Sequence, residues 1–87
     1  MKIKDGFILR KVGGQNVVVA IGAASRDFNG IIRLNETGAF LWSQLSSEKT
    51  EQQLCDALLK EYEVTAGQAA ADVAEFIDTL KKAALLV

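Results

Sequence analysis

Cys55 is the only cysteine in the 87-residue chain, and there is no histidine. A cysteine nucleophile needs a basic neighbour to hold it as thiolate. None is identifiable near Cys55, which sits on an apolar helical stripe and reads as a small buried hydrophobe. Catalysis by a histidine-assisted serine or cysteine is excluded by composition. Zinc and iron–sulfur sites lack ligands, and an internal disulfide lacks a second sulfur. Carboxylates remain, but a domain this small lacks the depth to enclose an acid–base pair in a dry cleft. The sequence therefore assigns no catalytic residue, no metal ligand and no cofactor.

What remains is the chemistry of the backbone. Ile31, Ile32, Arg33 and Leu34 form a short apolar run with no proline, no internal glycine and one charge. As an edge strand it would present unpaired N–H and C=O groups with little to prevent pairing. Such an edge is a template for β-augmentation: main-chain bonds hold an added peptide, and side-chain pockets select it. The competing reading is an edge covered by a helix or loop, the usual natural solution. Farther along, Ala69, Val73, Phe76, Ile77 and Leu80 share one side of a predicted helix, flanked by other small residues; Val73, Phe76, Ile77 and Leu80 read at least as much as core as they do as a binding surface. Small flanking residues leave a shallow groove where apolar peptide side chains could dock. Asp72 borders that arc, either to meet a peptide or simply as a solvated acid. Trp42 shares a stripe with Leu41 and Leu45 and reads as core.

These residues need elements to hold them. Residues 1–34 read as a β meander. A strand over residues 7–12 and one over 15–21 are joined by Gly13-Gly14, a pair suited to a tight hairpin. Residues 22–30 read as loop with Asn29-Gly30 as a turn signal, and 31–34 form the third strand. Residues 35–87 read as three helices. The first runs from Glu36 to about Ser46 with Asn35 as N-cap. Thr50 with Gln53, and Thr65 with Gln68, open the second and third in capping-box patterns. The second helix's stripe is Leu54, Cys55, Leu58, Leu59 and Tyr62, and Ala66, Ala70 and Ala84 extend the third helix's arc. The fold class is α+β: a three-stranded antiparallel sheet followed by three helices, resembling a winged helix-turn-helix with the sheet first. Residues 1–87 make one domain.

Charge divides along the same boundary. Residues 1–34 carry six Lys/Arg against two acids, net +4; residues 35–87 carry four against nine, net −5. A DNA-reading winged helix needs basic helices for phosphates, and these helices are acidic. The basic sheet would instead steer an acidic peptide, with Arg33 nearest the edge and Arg26 in the preceding loop. No apolar run approaches the ~18–20 residues of a membrane span. The N-terminus lacks the apolar stretch of a signal peptide, so a cytoplasmic address is expected.

The segment Leu34-Asn35-Glu36-Thr37-Gly38-Ala39-Phe40-Leu41-Trp42, then Leu45, Thr50, Leu54, Leu58 and Tyr62, then Asp72-Val73 and Phe76 through Leu80, resembles the PqqD family. Its general form is the recognition element of ribosomal peptide maturation. The likeness runs over nearly the whole chain. It departs at Ala84-Leu85-Leu86, where the family often has Gly-Leu-Leu, and in lacking an N-terminal proline. The resemblance implies three strands and three helices. It also implies a non-catalytic role: binding the leader of a precursor peptide as a fourth strand on the third, beside the third helix. A separate modifying enzyme, often a radical-SAM protein, would then act on the peptide. An unguarded third strand would also pair with its own copy as a homodimer when no peptide is present. Two other classes stand beside this one: a winged-helix nucleic-acid-binding regulator, and a subunit that docks an enzyme without touching peptide.

Overall fold

The computed structural model describes residues 1–26 and 30–87. Strand β1 (Phe7–Val12) turns through Gly13-Gly14 into β2 (Gln15–Ala20). Both glycines have positive φ, 57° and 79°, as a two-residue hairpin turn of this hand requires. β3 (Ile32–Leu34) pairs antiparallel with β2, giving the order β1-β2-β3. Three helices follow: α1 (Glu36–Gln44), α2 (Glu51–Glu61) and α3 (Ala66–Lys82).

Register fixes which face each side chain joins. Leu9, Val18 and Ile32 lie in one cross-strand row, and Arg10, Val17 and Arg33 in the next. Directly opposed residues share a face, and successive residues alternate. Val18 is fully buried in the core shared with Leu41, Leu54, Leu58, Val73 and Leu80, so its row faces the helices. The Arg10–Val17–Arg33 row therefore faces away from them. Val17 is only 6% exposed, yet it stands outside that core cluster. Arg10 and Arg33, both exposed, flank it in that row.

The helix caps follow the sequence closely. The Asn35 side chain accepts from the Gly38 N–H at 2.7 Å. Thr50 and Gln53 form a full capping box. At α3, Thr65 accepts from the Gln68 N–H, but the Gln68 amide donates to Asp72 at 2.8 Å instead of reaching back. Only half of that second box exists, because an i, i+4 carboxylate competes for the amide. The far end of α3 closes differently. The Leu85 N–H donates to the Leu80 carbonyl at 2.9 Å and the Ala84 N–H to the Lys81 carbonyl at 3.0 Å. This is the Schellman pattern, which places Ala84 in the left-handed region at φ 58°.

Several boundaries differ from the sequence reading. β2 ends at Ala20, leaving Ile21 exposed, and residues 22–26 form a 3₁₀ turn, Gly22–Arg26, within the expected loop. The Asn29-Gly30 turn cannot be placed, since Asn29 lies outside the described residues. Ile31 precedes β3 and is 57% exposed. α1 stops at Gln44, where Leu45 leaves helical geometry while its N–H stays bonded to Leu41 and Trp42 carbonyls. Leu59, Ala66, Ala70 and Ala84 are exposed, so the apolar arcs of α2 and α3 are narrower than expected. Trp42 packs in the core, as its stripe requires. A terminal clasp completes the fold: Lys2 and Val87 exchange backbone bonds, and Ile3 bridges Leu86.

Candidate functional site

β3 is an edge strand. Its inner side pairs with β2, and no backbone bond from a described residue reaches its outer side. Beyond that edge lies a shallow cleft of about 90 Å³ between the end of β3 and the flank of α3. Small-molecule sites usually enclose roughly 300–1,000 Å³. This cleft holds one side chain of a longer ligand more readily than a whole substrate.

The strand side of the cleft is Arg33 and Leu34, and the helix side is Asp72, Glu75, Phe76 and Thr79. Residues 72, 75, 76 and 79 follow helical spacing, so α3 presents them as one stripe. The floor is apolar: Phe76 is 5% exposed, and Leu34 packs half-buried against the core. The rim is polar. One oxygen of Asp72 accepts from Gln68, and the Thr79 hydroxyl donates to the Glu75 carbonyl at 3.0 Å. No ion pair links Arg33 to either acid among the described residues. The two lips thus carry opposite charge, basic on the strand and acidic on the helix.

The first turn of α1 closes the cleft's end through Asn35, Thr37 and Gly38. A methyl at Gly38 would lie 3.1 Å from Asn35 Oδ1 and 3.3 Å from Leu34 Cβ. Glycine lets the N-cap and the end of β3 approach this closely, which explains it on steric grounds alone.

Of the residues singled out from sequence, Arg33, Leu34, Asp72 and Phe76 converge on this cleft. Ile32 is half-buried and packs on the core beside it, while Ile31 is exposed before the strand. Ala69, Val73 and Leu80 are fully buried and Ile77 nearly so; they form core behind the cleft and do not line it. Arg26 is exposed at the end of the 3₁₀ turn and is not a lining residue. Sequence reasoning missed Glu75 and Thr79. Extending the helical spacing from Asp72 by three and seven residues finds both.

Elsewhere, Cys55 is half-buried in α2. Burial, then the nearby Glu51 and Asp56 carboxylates, push its thiol above the ordinary range. That is opposite to the shift an activated nucleophile needs. Among the described residues no group of three or more His, Cys, Asp or Glu side chains is placed to hold a metal ion. No described helix is long and apolar enough to cross a membrane.

Comparison with known proteins adds a family and a fold. The family model for coenzyme PQQ synthesis protein D (PqqD) matches residues 7–86. Two similar solved structures are described as TbiB1 in complex with the TbiA(beta) leader peptide and as lasso peptide synthetase B1 complexed with the leader peptide. The first is 24% identical with a TM-score of 0.75, covering 99% of this chain and 94% of that one. The second is 20% identical with a TM-score of 0.73, covering 99% and 95%. No curated protein matches the sequence.

Proposed function

The chain belongs to the PqqD family, and from that premise we propose that it captures the leader segment of a ribosomally made precursor peptide and presents it to a separate modifying enzyme. The leader adds as a fourth strand along β3, antiparallel or parallel, and its side chains on the helix side settle against α3. The chain itself performs no covalent step, and the enzyme it serves is a radical-SAM maturase or another peptide-modifying enzyme. The observation that carries this reading is the outer edge of β3, unpaired by any described residue and opening onto an apolar-floored cleft. Both structural neighbours were solved with a leader peptide, which supports the same direction.

The proposed roles divide by chemistry. Ile31, Ile32, Arg33 and Leu34 supply backbone pairing. Leu34 and Phe76 receive an apolar anchor, with Ala69, Val73, Ile77 and Leu80 as the packed wall that fixes it. Asp72 meets polar or basic groups, and Arg33 with Arg26 steers acidic ones. Without peptide, the same edge pairs with a second copy of the chain.

A chemical-shift titration with synthetic leader segments of candidate precursor peptides tests the reading. The expected result is saturable binding, with perturbed amides at Ile32, Arg33 and Leu34 and along residues 72–79. Perturbation confined to another surface, or binding of a DNA duplex in place of peptide, overturns it.

A further inference from the structure

The two lips of the cleft carry opposite charge, and the sheet's geometry separates them by face. Arg33 lies in the Arg10–Val17–Arg33 row, on the face turned away from the helices. Asp72 and Glu75 lie on α3, on the other side of any strand added to β3. Successive side chains of an added strand point to opposite faces. Every second one therefore enters the environment of Arg33, and those between enter that of Asp72 and Glu75. Directly opposed and diagonal cross-strand neighbours are close enough for charged pairs to matter, favourably or unfavourably.

We propose that this site selects peptides by alternation of charge. Acidic side chains sit on the outer face beside Arg33. Basic ones sit on the helix face beside Asp72 and Glu75. A central apolar residue anchors over Phe76 and Leu34. The inference rests on the peptide-binding reading above and goes beyond it, because net charge no longer defines the ligand. A peptide of zero net charge is a good ligand when its charges alternate correctly and a poor one when they are exchanged. No acidic residue lies on the described part of the outer sheet face near Arg33. The cross-strand neighbours there are Val17 and Arg10, and among the described residues no ion pair reaches the Arg33 lip.

Two synthetic peptides of identical composition isolate the effect: Glu-Lys-Thr-Leu-Thr-Lys-Glu and Lys-Glu-Thr-Leu-Thr-Glu-Lys. Each reads the same in both directions, so strand polarity is immaterial. The central leucine fixes which positions face α3. An uncharged analogue, Thr-Gln-Thr-Leu-Thr-Gln-Thr, reports strand addition alone. Affinities come from chemical-shift titration at low ionic strength. The first peptide is expected to bind about tenfold more tightly than the second, ~1.4 kcal/mol. The variant carrying Arg33→Glu and Glu75→Lys, both exposed positions, should reverse the preference. Equal affinity of all three peptides, or no reversal in the variant, overturns the charge rule while leaving peptide binding intact. Failure of all three to bind overturns the charge rule as well, and the leader titration above decides the peptide-binding reading separately.

Discussion

Val17 and Arg33 stand directly opposite each other across β2 and β3, on the face of the sheet that the helices leave bare. Their pairing orients the site. It turns Ile32 and Leu34 into the core, sends the Arg33 side chain outward, and leaves the strand's outer backbone edge clear of the described residues. A one-residue slip would exchange these roles and place a guanidinium in the core, so burial of Val18 enforces the register. The function proposed for the edge thus depends on packing in the neighbouring strand.

Ala84 occupies a left-handed conformation that glycine adopts at little cost. For other residues that conformation costs roughly 1–2 kcal/mol, partly offset by glycine's greater freedom when unfolded. Ala84→Gly should stabilise the protein by about 0.5–1 kcal/mol. Thermal unfolding should show a rise of a few degrees. An unchanged or lower midpoint would mean the Schellman turn stores no strain.

That residue also marks what was legible from sequence. The hairpin at Gly13-Gly14, the caps at Asn35, Thr50 and Thr65, and the core helical stripes follow from local rules, because each depends on residues within a turn or two. The resemblance noted for residues 34–80 supplied the location of the site. Its lining was harder. Phe76 was visible as part of an apolar arc and Asp72 as its border, whereas Glu75 and Thr79 gained meaning only once β3 lay beside α3. The core share of Val73 and Leu80 was legible from their stripe, but the full burial of Ala69 was not: periodicity gives a helix's apolar side but not which part of it another element covers. The reach of α1 failed by two residues because Leu45 belongs to the core and to the cap at once.

Cys55 should react slowly with thiol reagents. Its thiol is raised above the ordinary range by burial and by Glu51 and Asp56. Less thiolate is therefore present at any pH below that range, and the rate should begin to climb at higher pH than for an exposed cysteine. Alkylation by iodoacetamide across pH 7–10, compared with a free thiol and with the urea-unfolded protein, checks this. A native rate at pH 8 equal to the unfolded rate would contradict it.

Phe76 serves core and cleft together, being 5% exposed while lining the groove. Truncation to alanine should lower stability by about 3–5 kcal/mol. A domain of this size has roughly 4–13 kcal/mol in total. Urea unfolding measures the loss. Phe76→Leu, which keeps most of the buried volume, should fold and still weaken peptide binding several-fold. Full affinity in a folded Phe76→Leu protein would remove this residue from the anchor site.

The last prediction concerns the edge itself, and it follows from the alternation of amides along a strand. Successive N–H groups in β3 point alternately toward β2 and away from it. Ile32 and Leu34 fall in one class and Arg33 in the other. Ile31 shares the direction of Arg33 where the chain stays extended. Proline removes a donor, and it is tolerated on an edge strand only where that donor faces outward. A proline scan of Ile31, Ile32 and Arg33 should therefore split in two. At outward positions the protein folds with near-normal stability and loses peptide binding. At inward positions the β2–β3 ladder loses a bond and stability falls. Circular dichroism with urea unfolding separates the classes, and titration of the folded variants reads binding. If all three prolines leave affinity unchanged in folded protein, the ligand does not add to β3, and the cleft beside α3 binds by side chains alone.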